Sequence, residues 1–279
     1  MDVNAVLSAQ FSLPSIPRVL ALLLSELERA TPDLRRINQL ISTDPALTLR
    51  LLQLSNSAQF RLSQRVFSVS ESLALVSLGH VRVMAQASAA GASLRAVPGF
   101  PLQKYWDYSL DVAKVSRALA GYLRQNQQAA FTAGLVHLVG ELAMRMAMPE
   151  QMAALDARIG PLDARRARLE RKTFGFHHAD VSAGLARKWL FPEPLIDALE
   201  HQDRPFQHEV YEPLAGVLHL AAWRARAKAE GHNQRQMAVT FPGAVGDVLQ
   251  LDIDMVLQQD PIDWNNQVRP QPLSQPTPL

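Results

Sequence analysis

The chain contains no cysteine, which removes disulfides, thiolate nucleophiles and sulfur-ligated metals; any metal site has to be built from His, Asp or Glu. No apolar run approaches the ~18 residues needed to span a bilayer, and the opening Met1-Asp2-Val3-Asn4 has no basic leader region. The expectation is a cytoplasmic protein that does not enter a membrane. Charge of one sign is also scarce. With 28 basic and 26 acidic side chains the formal charge is +2, so a pI near 9.1 does not by itself announce a polyanionic partner. One local excess stands out between Arg158 and Lys172, where Arg165, Arg166, Arg168, Arg171 and Lys172 outnumber Asp163 and Glu170. A solvated helix face explains such a run, and a polyanion-binding patch is the competing reading. The Gly-x-Gly-x-x-Gly, Gly-x-x-x-x-Gly-Lys and Gly-x-Ser-x-Gly patterns are absent, which leaves no sequence support for a phosphate-cradling loop or a nucleophile elbow. There is no run of period-two alternation long enough to predict a sheet, and no internal repeat.

What remains is helical. The 279 residues, 48% hydrophobic and 19% charged, suffice for one large or two modest domains. Leu34, Ile37, Leu40 and Ile41 form an apolar stripe after Thr31-Pro32, which reads as a helix start. Asp44-Pro45 repeats that signal, with Asp44 as N-cap and Pro45 at the first helical position. The helix that follows has Leu47, Leu51 and Leu54 on one side and Leu49 and Leu52 on another, the mark of deep burial. Ser68 to Glu71 spells a capping box for a helix through Val76, with Gly79 as its C′ residue. A helix from about Val81 toward Ala92 comes next, then a boundary at Pro98, Gly99 and Pro101. Beyond it the pattern predicts helices over 105–124, 129–146, 163–174, 178–190, 193–201, 212–230 and 242–258. The last stretch, 260–279, is rich in Pro, Gln and Asn and reads as a flexible tail. Residues 36–57 superficially suggest a helix-turn-helix, but the second helix offers only Arg50 and Gln53 to bases, so core packing is the better reading.

Several ordered segments carry a family resemblance. They are Leu13-Pro14-Ser15-Ile16-Pro17; Leu40-Ile41-Ser42-Thr43-Asp44-Pro45-Ala46-Leu47-Thr48 with Leu54-Ser55-Asn56-Ser57-Ala58; and Ser72-Leu73-Ala74-Leu75-Val76-Ser77-Leu78-Gly79. Ala133-Gly134-Leu135-Val136-His137 follows, then His178-Ala179-Asp180-Val181-Ser182-Ala183 with Trp189 and Pro192, and Ala198-Leu199-Glu200-His201. Together they resemble the HDOD family, the HD-related output domain of bacterial signalling proteins. The resemblance implies an all-α fold, in which an N-terminal helical lobe (13–97) packs on a lobe similar to HD phosphohydrolases (98–210). A short lead (1–12), a C-terminal helical extension (211–259) and the tail complete the expected organisation. No receiver or cyclase segment is recognisable, so a signal is expected to arrive from a separate protein or a small ligand.

The related hydrolases hold metal with an early His, a His-Asp pair, two further His and a late Asp. Carried over, these positions fall on Tyr108, His137-Leu138, His178, His201 and Ala222. Leucine can neither ligate a metal nor offset its charge, and the same holds for Ala222, so both carboxylates are missing. Any metal would rest on His137, His178 and His201, but none is expected, nor any other cofactor. Glu141, one turn after His137, could orient its ring as readily as bind a metal. Trp106, Tyr108, His137 and Glu141 mark a candidate ligand pocket between the lobes. His177 is expected in a loop, His80, His208 and His232 at the surface, and His219 as a satisfied core histidine. The resulting expectation is a non-enzymatic signalling protein working through protein–protein contacts, with response regulators or cyclic-dinucleotide enzymes as partners. A residual metal-dependent phosphohydrolase is the first alternative, and a nucleic-acid-binding regulator the second.

Overall fold

The computed structural model describes residues 2–9, 12–60, 63–92, 101–207 and 211–257. The expected boundary at Pro98 and Gly99, His208 and the tail 260–279 lie outside the described residues. All regular structure among those described is helical. The first six helices are α1 (Val3–Ser8), α2 (Pro17–Leu27), α3 (Leu34–Ile41), α4 (Pro45–Ser55), α5 (Val69–Leu75) and α6 (Leu78–Ala92). Then follow α7 (Leu102–Tyr122), α8 (Gln127–Val136), α9 (Val139–Ala147), α10 (Pro149–Asp156), α11 (Arg166–Phe174), α12 (His178–Lys188) and α13 (Glu193–His201). The chain continues with α14 (Pro213–Ala229), α15 (Gln234–Thr240), α16 (Gly243–Leu249) and α17 (Ile253–Leu257).

Local chemistry fixes many of the ends. Asp44 caps α4 by accepting from the Leu47 N–H at 2.9 Å, and its other oxygen accepts from the Ile16 N–H at 2.6 Å, which pins the entering segment. The carboxyl is fully buried, and burial pushes its pKa up to about 6. For α3 the cap is Asp33, not Thr31-Pro32: its side chain accepts from the Arg35 and Arg36 N–H groups, an arrangement one carboxylate can make directly. Ser68 caps α5 as expected, but Glu71 reaches back to the Phe67 N–H. The C′ role assigned to Gly79 does not hold. Val76 ends α5 in an extended conformation, and Gly79 lies in the first turn of α6.

Two apolar clusters result, and α4 belongs to both. Leu47 and Leu51 face Leu20, Leu23 and Leu27 of α2 and Ile37 and Ile41 of α3. Ala46, Leu49 and Leu52 join the larger cluster built on α7, α8, α9, α12, α13 and α14. The C-terminal extension is integral to that larger core, since Val217, Leu218, Leu220 and Ala221 of α14 are fully buried in it. So is Val6 of α1.

The predicted helix over 129–146 is broken at His137-Leu138, where Leu138 takes φ −99°, ψ 13°. The reason is the close approach of α12: a Cβ on Gly140 would stand 2.0 Å from the His178 carbonyl oxygen. Side chains pair several of the backbone groups released by the break. The Ser182 hydroxyl donates to the His137 carbonyl at 3.0 Å and accepts from the Gly140 N–H at 2.9 Å. Gln202 donates to the same His137 carbonyl at 3.1 Å, and the Tyr105 hydroxyl donates to the Leu138 carbonyl at 2.7 Å. The predicted helix over 242–258 is likewise split, by Gln250 at φ 55°. Helices α10 and α15 carry too few apolar positions to show a stripe.

Gly140→Ala is expected to destabilise the protein by about 2–3 kcal/mol, because backbone rather than a side-chain tip blocks the added methyl. Gly160→Ala, where a Cβ would meet nothing within 4 Å, should be neutral or slightly stabilising. Chemical denaturation midpoints of the two variants test the difference.

Candidate functional site

The helix break opens onto a cavity of about 450 Å³. Its walls come from α7, the break itself, the segment before α11, α11, the start of α12, the turn after α13, and α14. Five positions carried over from the family pattern gather on it: Tyr108, His137, Leu138, His178 and Ala222. The Tyr108 hydroxyl, at the early-His position, donates to the Ala222 carbonyl at 3.0 Å, at the late-Asp position. Two places where metal ligands would stand are thus tied to each other.

His201, Trp106 and Glu141 are not part of that lining. On the last turn of α13 it is Gln202 that turns inward, while His201 lies half-buried with Asp197 and Glu200. The three-histidine set His137, His178 and His201 therefore does not assemble around the cavity. Trp106 precedes Tyr108 by two residues, a rotation of about 200° on a helix, and it lines a small apolar crevice with Leu13, Pro45 and Leu49. Glu141 is buried behind the cavity wall. Two other histidines take places in the wall. His219 lines it with Nδ1 2.8 Å from the Gln202 carbonyl. His177, expected in a loop, is buried and caps α12: its ring accepts from the Asp180 N–H while the Asp180 carboxylate accepts from the His177 N–H at 2.8 Å.

Behind the wall lies a buried ionic cluster. Arg166 donates to Glu141 at 2.9 Å, Glu170 at 2.9 Å and Asp156 at 2.7 Å. Arg145 donates to Glu141 at 2.7 Å and to Asp156 at 2.5 Å. Glu170 also accepts from both the ring Nδ1 of His178, at 2.8 Å, and its backbone N–H. Glu141 Oε2 has no donor facing it; burial and the neighbouring Glu170 raise the Glu141 pKa, so it keeps a proton that Glu170 can accept. Against its own burial, Glu170 is held well below the ordinary carboxylate range by the His178 imidazolium. Reciprocally, Glu170 lifts His178 to about 9 despite burial. Of this cluster, sequence reasoning singled out only Glu141 and His178. The available signal was the i,i+4 spacing of Glu141 with Arg145 and of Arg166 with Glu170.

His137 is the opposite case. Burial lowers its pKa to about 3, so the ring is neutral. Its Nδ1–H donates to the Gly134 carbonyl at 2.7 Å, leaving Nε2 as the acceptor. Burial also lowers His219, whose Nδ1 is engaged in the same way.

A divalent cation fits this donor set poorly. Among the described residues, ligand atoms of Glu141, Glu170 and His178 approach within 4.8 Å of one another. Three of their four carboxyl oxygens, however, already accept from Arg145, Arg166 and His178 itself, leaving only Glu141 Oε2. With Glu141 protonated, the Asp156 and Glu170 carboxylates face three cations, Arg145, Arg166 and His178, so there is no surplus negative charge to stabilise a hard ion.

An all-α fold with a lobe similar to HD phosphohydrolases, carrying a site rebuilt around arginines, defines the class. The chain belongs to the HDOD domain family, whose model matches residues 13–205. It is similar to the MmoQ response regulator of Methylococcus capsulatus, at 27% identity and a TM-score of 0.71, covering 88% of this chain and 97% of that one. A Shewanella amazonensis protein provisionally named a phosphohydrolase is 26% identical with a TM-score of 0.51, covering 87% of each chain. An uncharacterised protein of Treponema pallidum is 27% identical over 212 residues, which are 75% of this chain and 41% of that protein. The chain thus spans less than half the length of that relative.

Glu170→Gln should cost about 3–5 kcal/mol, because it strands buried Arg166 and His178. Glu141→Gln copies the protonated carboxyl and should cost under about 1 kcal/mol. Since folding raises His178 from 6.5 to about 9, its contribution is complete below about pH 6.5 and fades as pH climbs through 9. Denaturation midpoints measured across that window should fall for the native protein and stay flatter for His178→Gln.

Proposed function

We propose that this protein is a non-enzymatic regulatory module of a bacterial signalling circuit, acting in the cytoplasm through protein–protein contacts. The observation that carries this reading is the placement of Arg145 and Arg166. Their guanidinium groups occupy oxygens of Glu141, Asp156 and Glu170, the acids clustered beside His178, which leaves these acids poorly placed to hold a metal. The Tyr108–Ala222 hydrogen bond supports it, because both groups are committed to one another rather than to a substrate or ion. Response regulators and cyclic-dinucleotide enzymes are the partner classes this role calls for. The nucleic-acid reading draws less support from the basic run, in which Arg166 is buried and Arg165 is paired with Asp163 at 2.8 Å. Among the described residues no helix is long and apolar enough to cross a membrane.

The reading is tested by assaying the purified protein against nucleotides and cyclic dinucleotides with added divalent metals, alongside elemental analysis. The expected outcome is no turnover and metal far below stoichiometric. Turnover that His137→Ala abolishes would overturn the proposal.

A further inference from the structure

The same cavity has a chemistry of its own that the loss of a metal site does not account for. Its mouth is basic. Arg168 and Arg204 line it, are exposed, and have no acidic partner among the described residues. Arg171 lines it as well, with one guanidinium nitrogen 2.6 Å from the His177 ring Nε2 and 3.5 Å from Asp180. Arg226, half-buried on α14, uses its Nε on the Leu162 carbonyl at 3.0 Å and also faces in. Two carboxylates share the lining: Asp163 is paired with Arg165 at 2.8 Å, and Asp203 stands 3.9 Å from His177, beyond hydrogen-bond reach of that ring. The interior is mixed: the His178 imidazolium reaches the lining, whereas His137 and His219 differ in kind from it. A carbonyl oxygen can only accept, so the contacts of His137 to Gly134 and of His219 to Gln202 put the proton on Nδ1 in both rings. Each is left with a lone-pair Nε2, which repels an anion and welcomes an N–H or O–H donor.

We infer that this cavity binds a phosphorylated small molecule, with the phosphate held by the arginines of the mouth and the other end donating hydrogen bonds to His137 and His219. Arginine suits the first task because its planar fork pairs with two phosphate oxygens at once. The volume of about 450 Å³ lies within the range of roughly 300–1,000 Å³ typical of small-ligand pockets. A nucleotide and a sugar phosphate both have the required polarity, with an oxyanion at one end and ring donors at the other. The inference goes beyond the non-enzymatic reading and does not rest on it.

Calorimetric titration of the full chain at low ionic strength separates the parts, using inorganic pyrophosphate as an oxyanion alone and AMP as an oxyanion bearing donors. Both probes are expected to saturate, with AMP the tighter. The double variant Arg168→Gln/Arg204→Gln should weaken both about tenfold or more. His219→Phe should weaken AMP and leave pyrophosphate unchanged. Arg18→Gln/Arg35→Gln, which removes the same charge from exposed positions on the first lobe, should leave both probes unchanged. Absence of saturation by either probe at millimolar concentration would overturn the inference. So would equal weakening by the cavity and first-lobe double variants, since that signals diffuse charge attraction. Phosphorus NMR of the same samples follows the fate of AMP: cleavage would sink the non-enzymatic reading while leaving the binding site in place.

Discussion

The arrangement of the second lobe depends on how the chain tolerates an interrupted helix in its interior. An unpaired backbone carbonyl or N–H at the His137–Gly140 break would cost about as much as a lost buried hydrogen bond. The Ser182 hydroxyl removes that cost on both strands of the interruption, donating to one side and accepting from the other. Gln202, at the end of α13, and Tyr105 of α7 add hydrogen bonds to the His137 and Leu138 carbonyls. Three separate helices are thereby fastened to one point. The bare approach of Gly140 to α12 sets the distance at which they meet. The break also directs His137 toward the cavity while Glu141, one turn on, is carried into the ionic cluster behind it.

That cluster lets the second lobe bury acidic side chains without a bound ion. Acidic groups buried this deeply need cations, and here the cations are covalently part of the chain. Arg166 satisfies three carboxyl groups at once, and His178 is held as an imidazolium by Glu170. The result is rigid and costly to edit one residue at a time. It divides the histidines sharply. His178 belongs to the charged shell, whereas His137 and His219 are neutral rings whose protons are committed to backbone carbonyls.

Much of this was legible in the sequence because the signals were local. Asp44-Pro45 and Ser68 announced their helices, and the run from Leu40 to Ala58 placed the chain in its family. Where the reading failed, the deciding force was tertiary. Nothing near residue 138 advertises a break, since it is imposed by α12 arriving from forty residues away. His201 was preferred to its neighbour Gln202 because histidine looks like a ligand, whereas a single step around α13 decides which side chain turns inward. Glu170 and Arg166 looked like part of a solvated charge run, and only their burial by α9 and α12 separates them from Arg165 and Arg168.

Helix α4 has a further consequence for how the molecule can be divided. Leu47 and Leu51 serve one apolar cluster while Leu49 and Leu52 serve the other. A cut at the apparent boundary near residue 98 would therefore strip water-averse surface bare on both pieces. Neither half would make a well-behaved fragment. For the same reason, a shift of α4 caused at one cluster is passed directly to the other.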